Sequence, residues 1–477
     1  MRGLCVGLVC FLNGLFGCLA KVNADEKMVA SSDRPNFVVI FCDDLGYGDL
    51  GCFGHPTIQT PHLDAMASEG LLATQFYVAA SVCTPSRAGL MTGRYPIRNG
   101  MCGKRRVLFP DSIGGLPQSE TTLATMLGDS GYATSMVGKW HLGHLPEYLP
   151  TSHGFDRYYG IPYSNDMDRV ASDDPEKKGR KVFWNAMPSD FNVPMFEGTA
   201  VAGCEIVERP VDQTTLTHRY TDRAISEIER MKDEPFFLYL AHSLPHVPLF
   251  RSDAFVGHSA AGIYGDVIEE IDHGVGQIME TLKKLELDSK TLVVFTSDNG
   301  PWLVFNDHGG SAGPLRNGKG TTFEGGMRVP ALFWMPGRIE AGRRDSGLSS
   351  TLDLLPTFAA MSGAAPPEKS LDGYDLSPWL FDASESPRHE MFFYRDVRLM
   401  AIRSDHHKAH YITQDSYVRD SRPTEHDPPL VFDLSIDLRE RNDVGQQHPE
   451  LVERFAKLRT KHESTLEATE SQLDRKP

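Results

Sequence analysis

Short apolar runs alternating with helical stretches dominate the first 360 residues of this chain and leave few architectures open. Residues 36–41 (Asn-Phe-Val-Val-Ile-Phe) place apolar side chains at consecutive positions, as a strand covered on both faces requires. Residues 133–137, 235–240 and 292–296 repeat that character. Between them, 61–70, 123–131 and 220–231 read as helices, the first closed by a glycine. Tyr264, Val267, Ile268, Ile271, Val275, Ile278, Leu282 and Leu285 recur at steps of three and four, the apolar face of a longer helix. This alternation predicts an α/β sheet covered by helices. After about Ser386 the rhythm changes to short strands at 391–394, 397–403, 408–413 and 430–434, followed by a polar amphipathic helix at 451–466. That pattern predicts a small antiparallel sheet plus a helix, dividing the chain into a main domain at 25–385 and a C-terminal subdomain at 386–477. Residues 161–212 have poor periodicity and many Pro, Gly and Asp, and read as a long loop of functional or mobile kind.

Residues 1–24 stand apart. Arg2 precedes an apolar stretch at 4–20, and Val22-Asn23-Ala24 offers small side chains at the positions a signal peptidase reads. An exported chain beginning at Asp25 is expected, with Leu15-Phe16-Gly17-Cys18 as a lipoprotein alternative. No later apolar run reaches the length of a membrane span. The sequence holds no Asn-x-Ser/Thr acceptor, which favours a bacterial periplasmic or secreted location over a lysosomal one. The 477 residues carry 48 Lys+Arg against 64 Asp+Glu, a net charge of −16. That balance argues against nucleic-acid binding, which needs clustered positive charge, but leaves anionic substrates open through a local basic pocket. Eight cysteines are too few for a disulfide scaffold. Three lie in the leader, and Cys42, Cys52, Cys83, Cys102 and Cys204 remain, an odd number.

Chemistry-bearing residues gather where the strands end. Asp43 and Asp44 follow the first strand, and Asp298 and Asn299 follow the strand at 292–296; ligands of α/β sheets bind outside the carboxyl ends of strands. Three carboxylates and an amide oxygen brought together there would repel one another without a hard cation; calcium suits an all-oxygen set in loose geometry, and magnesium, which tends to keep more waters, is the less favoured alternative. Taken alone, Asp43-Asp44 reads more readily as a turn or helix cap. Lys139 and His141 share one face of extended chain, His246 follows another buried strand, and Arg316-Asn317-Gly318-Lys319-Gly320 is a flexible cationic loop. Singly these are ordinary residues; together they would offset the carboxylates and bind an oxyanion. Pro85 suits a first helical turn, so Cys83 sits at a helix N-terminus, where a thiol pKa is expected to fall; a buried inert cysteine fits the same spacing.

Cys83-x-Pro85-x-Arg87 followed by Leu90-x-Thr92-Gly93-Arg94 resembles the signature of the type I sulfatases, in which the cysteine is oxidised to formylglycine. The accompanying pattern is present in order: Asp43-Asp44, Gly138-Lys139-Trp140-His141-Leu142-Gly143, His246-Val247-Pro248, Asp298-Asn299-Gly300 and Gly318-Lys319-Gly320. Gly160-Ile161-Pro162-Tyr163-Ser164 and Lys408-Ala409-His410 point to the arylsulfatase A and N-acetylgalactosamine-6-sulfatase branch. The resemblance implies an alkaline-phosphatase-like large mixed sheet flanked by helices, with a smaller C-terminal antiparallel sheet plus helix. It implies a calcium-dependent sulfuric ester hydrolase acting on a sulfated carbohydrate or an aryl sulfate, matured by a formylglycine-generating enzyme. Carried over position by position, Asp43, Asp44, Asp298, Asn299 and modified Cys83 hold the metal. Cys83 supplies the nucleophile, Asp298 the base, and Arg87, Lys139 and Lys319 the positive wall. His246 protonates the leaving alcohol, and His141 takes a proton when sulfate is expelled. Tyr163, Ser164 and His410 match positions near the substrate pocket. The C-terminal disulfide cysteines and N-glycan sites of the lysosomal relatives have no counterparts here. A phosphate- or phosphonate-ester hydrolase of the same superfamily, and a glycan-binding protein with unmodified Cys83, remain as alternatives.

Overall fold

The computed structural model describes Met1 and residues 34–418, 420–467 and 469–476. Apart from Met1, the expected leader at 1–24, with Cys18, lies outside the described residues. The large sheet comprises β1 (Asn36–Cys42), β2 (Leu71–Tyr77), β3 (Ala133–Gly138), β4 (Arg157–Gly160), β5 (Met195–Thr199), β6 (Gly203–Glu208), β7 (Phe236–Ala241), β8 (Thr291–Ser297), β9 (Arg328–Trp334), β10 (Arg343–Asp345) and β11 (Ser349–Ser350). Their order is β10-β2-β9-β8-β1-β7-β3-β4-β5-β6, with β11 also on β2. The central strands β8, β1, β7, β3 and β4 are parallel, while β9, β5 and β6 run against their neighbours. Every residue of β1, β7 and β8 is buried, the condition that makes such strands read as continuous apolar runs. A large mixed sheet flanked by helices agrees with the expected α/β architecture.

Flanking this sheet are α1 (Pro61–Glu69), α2 (Cys83–Thr92), α3 (Pro96–Asn99), α4 (Leu123–Asp129), α5 (Leu216–Met231), α6 (Gly262–Lys284), α7 (Glu324–Met327), α8 (Leu354–Ser362), α9 (Ser377–Phe381) and α10 (Pro449–Ser464). Alternate residues of β1 divide between two cores. Phe37, Val39 and Phe41 join α2, α4 and α8, whereas Val38, Ile40 and Cys42 join α1, α5 and α6. The second sheet is antiparallel, ordered β12 (Glu390–Arg395), β13 (Arg398–Ser404), β14 (His407–Thr413) and β15 (Thr424–Asp433). Its Met391, Phe393, Ala401, Ile402, Ala409 and Val431 belong to the same apolar cluster as α2 and α8, so the two sheets share one core. Cys42, Cys52, Cys83, Cys102 and Cys204 are all free thiols. No helix among the described residues is long and apolar enough to cross a membrane.

The segment at 161–212 departs from the loop expected there: it contributes the edge hairpin β5–β6. Residues of β6 are exposed or half-buried throughout, so no apolar alternation marks the strand, and its turn uses Gly203 at φ +80° rather than a recognisable turn dipeptide.

A buried polar knot joins the second sheet to the loop that carries Lys319. Glu324, at the start of α7, meets Tyr77, Lys408 at 2.9 Å and Arg403 at 3.8 Å. Glu440 receives the Glu324 backbone N–H at 2.7 Å, Lys408 Nζ at 3.1 Å and His410 Nε2 at 2.6 Å. Lys408 Nζ also donates to the Thr322 carbonyl at 2.8 Å, and Arg316 donates to the Glu440 carbonyl at 2.7 Å. Both ends of the Lys319 loop are thus tied to β14 and to the segment after β15.

Removing one member of such a buried set leaves the others uncompensated. Lys408→Met is expected to cost about 3–5 kcal/mol, read from the midpoint of urea unfolding. A loss below about 1 kcal/mol would mean the knot is not a stabilising clamp. Burial opposes ionisation of Glu324, but Lys408, Arg403 and Arg328 hold its carboxyl down to about 2. A depressed carboxylate stabilises the fold fully above its ordinary pKa of 4.5 and loses that contribution as pH falls toward about 2. The melting temperature should therefore fall through this window, and more steeply for the native chain than for Glu324→Gln.

Candidate functional site

Four adjacent parallel strands, β8, β1, β7 and β3, deliver side chains to the carboxyl edge of the large sheet, where such sheets bind ligands. After β1 the chain turns at Asp44, held at φ +67°, whose backbone N–H donates to Asp298 Oδ1 at 3.1 Å. Asn299 follows β8 and donates through Nδ2 to Asp44 Oδ1 at 2.7 Å, leaving its Oδ1 buried without a partner. Lys139 leaves β3 and pairs through Nζ with Asp43, while donating to Ser164 Oγ at 3.1 Å. Gly138 makes this possible. A Cβ there would stand 1.9 Å from the Ala241 carbonyl, and the residue has φ +108°.

Two histidines are fixed in defined tautomers by carbonyl acceptors. His141, at φ +60°, donates from Nε2 to the Leu108 carbonyl at 2.9 Å, leaving Nδ1 as a buried acceptor without a partner. His246, beyond β7, donates from Nδ1 to the Val247 carbonyl at 2.6 Å, and its Nε2 lies 3.6 Å from Asp44 Oδ2.

Helix α2 points its first residue into this group. Cys83 Sγ is 3.3 Å from Asp43 Oδ1 and 3.6 Å from Lys319 Nζ. One turn on, Arg87 binds Asp298 Oδ2 through Nε at 3.1 Å and donates to the Lys139 carbonyl at 3.0 Å. Lys319 closes the ring on Asp44 Oδ1 at 2.7 Å. Asp43, Asp44, Cys83 and His246 place ligand atoms within 4.8 Å of one another.

The charges show what the site lacks. Burial opposes ionisation of Asp43, but Lys139, with Arg87 and Lys319, holds it well below the usual carboxylate range. Burial pushes Asp44 up to about 6 against the pull of Lys319. Burial and Asp43 push Asp298 up to about 7 against the pull of Arg87. Three carboxylates face three permanent cations, Arg87, Lys139 and Lys319, and two of the carboxylates are still under-compensated. A divalent cation among Asp43, Asp44, Asp298 and the unpartnered Asn299 Oδ1 would relieve them, and that all-oxygen donor set fits a hard ion such as calcium or magnesium. The expected low pKa of Cys83 is not met. Burial, then Asp43, pushes the thiol well above its ordinary value, outweighing Lys139 and Lys319. A helix N-terminus carries only a partial charge, and a full carboxylate beside the sulfur overrides it.

Of the three pocket residues expected from the resemblance, Ser164 reaches the cluster through Lys139. Tyr163 turns its hydroxyl to Asp168 at 3.5 Å and packs its ring by His144. His410 lies instead in the polar knot, fully buried, with its ring between Phe323 and Phe432. In the motif it sits two residues from Lys408, and in β14 that spacing turns both side chains to the same buried face. Two residues near the cluster escaped the sequence reading. Trp302 covers Lys319 Nζ at 4.4 Å and lies beside His246 at 5.3 Å between ring centroids. Asp166 keeps Oδ1 buried and unpartnered; burial raises its carboxyl against the pull of Lys319 and Lys139. Asp166 sits in the segment read as featureless loop, and Trp302 has only its place after Asp298-Asn299-Gly300-Pro301 as a signal.

The sulfatase family model matches residues 35–364, and that for the C-terminal region of aryl-sulfatase matches 386–477. Arylsulfatase A of Homo sapiens is 43% identical over 459 residues, spanning 90% of this chain and 88% of that protein. N-acetylgalactosamine-6-sulfatase of Homo sapiens is 38% identical over 480 residues, spanning 92% and 88%. The PsFucS1 sulfatase from Pseudoalteromonas sp. superposes with a TM-score of 0.82 at 28% identity, covering 94% of this chain and 92% of that one. The structure of Ps i-CgsB in complex with k-i-k-neocarrahexaose superposes with a TM-score of 0.74 at 32% identity, covering 90% and 92%. The chain belongs to the sulfatase family and is a sulfuric ester hydrolase.

Proposed function

We propose that this hydrolase cleaves sulfate monoesters of a sulfated carbohydrate, using formylglycine made from Cys83 and a calcium ion held by Asp43, Asp44, Asp298, Asn299 and the modified residue. The observation that carries the reading is the seat of the Cys83 side chain, 3.3 Å from Asp43 and 3.6 Å from Lys319 inside a ring of buried cations. A carbohydrate substrate is supported by the similarity to N-acetylgalactosamine-6-sulfatase and to a sulfatase-like structure in complex with k-i-k-neocarrahexaose; aryl sulfates would serve as activated surrogates.

The hydrated aldehyde supplies two hydroxyls on one carbon, one to attack sulfur and one whose deprotonation expels sulfate. Bound calcium would supply positive charge that offsets the negative charge of the ester. Asp298, its Oδ2 fixed by Arg87, accepts the proton of the attacking hydroxyl. Arg87, Lys139 and Lys319 neutralise the charge that develops on the sulfate oxygens, and Ser164 fixes the direction of Lys139. Burial, with Lys319 and Lys139, keeps His246 neutral at rest; a sulfate ester monoanion beside it restores the protonated form that donates to the leaving alcohol. The unpartnered Nδ1 of His141 receives the proton of the second hydroxyl.

Cys83 is only 2% exposed, so the maturation enzyme must act before this fold closes. In this reading the chain is exported to a bacterial periplasm or secreted, with residues 25–385 as the catalytic domain and 386–477 as a small-sheet and helix subdomain.

Parallel kinetics on the sulfate and phosphate esters of one alcohol test the reading; a clear preference for sulfate is expected, and a preference for phosphate would overturn it. His246→Ala should slow sugar sulfates by about 10²–10⁴-fold while sparing aryl sulfates with good leaving groups. An equal effect on both classes would remove the general-acid role. Chelation should abolish turnover, with calcium restoring more activity than magnesium.

A further inference from the structure

We infer that Trp302 and Trp184 form a two-ring platform that holds the sulfated saccharide, Trp302 against the sugar that bears the cleaved sulfate and Trp184 against the next residue of the chain. This rests on the sulfatase reading and names how the same site selects its leaving group.

Trp302 stands directly outside the groups that receive sulfate. Lys319 and His246 are 8% and 3% exposed, whereas Trp302 is half-buried, with its ring over Lys319 Nζ at 4.4 Å and inclined at 48° to His246. An alcohol departing toward His246 Nε2 has this indole as its wall. A pyranose presents a flat C–H face to such a ring, and an aryl group presents its π face. A buried aromatic ring links Trp302 to a second indole. Trp302 packs edge-on to buried Phe305 at 4.8 Å, and Phe305 carries Trp184 at 5.3 Å. Trp184 is 37% exposed and lies beside the ring of His308. An indole left this exposed fits the stacked face of a saccharide. The charge nearby agrees with an anionic chain. Lys178 and Arg180, four to six residues before Trp184, are exposed and have no ion pair among the described residues.

The test uses the matured, metal-loaded enzyme with p-nitrophenyl sulfate, a panel of sulfated monosaccharides, and sulfated oligosaccharides of the same repeats. Trp184→Ala should raise KM for the best oligosaccharide about tenfold relative to KM for its monosaccharide. Trp302→Ala should raise KM for ring-bearing esters about tenfold or more relative to the inhibition constant of inorganic sulfate, and Trp302→Phe should recover most of that loss. A KM ratio of oligosaccharide to monosaccharide unmoved by Trp184→Ala overturns the outer subsite. Equal weakening of inorganic sulfate and substrate by Trp302→Ala, without rescue by phenylalanine, makes the ring structural. Turnover of p-nitrophenyl sulfate but of no sulfated saccharide by the native enzyme overturns the platform, and the carbohydrate substrate with it, while leaving sulfate-ester hydrolysis at Cys83 intact. Turnover of no sulfate ester at all is instead a failure of the sulfatase reading.

Discussion

The pairing of three buried carboxylates with three buried cations at the edge of β1 is the constraint on which the structure depends. Asp43, Asp44 and Asp298 are all nine-tenths or more out of water, as are Arg87, Lys139 and Lys319. No single ion of this set could be buried alone at tolerable cost, and removing one leaves an uncompensated charge. The set therefore requires a scaffold that brings every member together at once. Parallel strands in the order β8, β1, β7 and β3 do so, since their carboxyl ends lie side by side and each adds residues to one edge. The balance is incomplete in electrostatic terms: Asp44 and Asp298 stay raised, a state that a divalent cation would relieve.

The second sheet contributes through position rather than chemistry. Lys319 belongs to a loop without regular structure, yet its ammonium must meet Asp44 at 2.7 Å. The knot of Glu324, Lys408, Glu440 and His410 anchors that loop at Thr322 and at the start of α7. His410 thus belongs to the knot through Glu440.

Much of this was legible in the sequence because burial on both faces writes itself as uninterrupted apolar runs. β1, β7 and β8 were readable for that reason, and with them the places where Asp43, His246 and Asp298 emerge. Exposed elements leave no such mark, so the hairpin β5–β6 passed as loop. The pKa of Cys83 was misjudged because sequence reveals a helix start but not the carboxylate that folding sets 3.3 Å from the sulfur. His410 was expected near the pocket from the resemblance alone; only the fold shows its imidazole meeting Glu440 in the buried knot. Trp302 needed the fold to set it beside Lys319 and His246, which are 17 and 56 residues away in the chain.

The central claim is that residue 83 works as an oxidised aldehyde rather than as the thiol whose ionisation its surroundings suppress. Mass spectrometry of the peptide spanning Cys83, from protein made alongside a formylglycine-generating enzyme and active on a sulfate ester, addresses it most directly. The account predicts the mass of formylglycine at residue 83 in the active fraction. Recovery of the unmodified thiol alone, from protein that still hydrolyses sulfate esters, would contradict it.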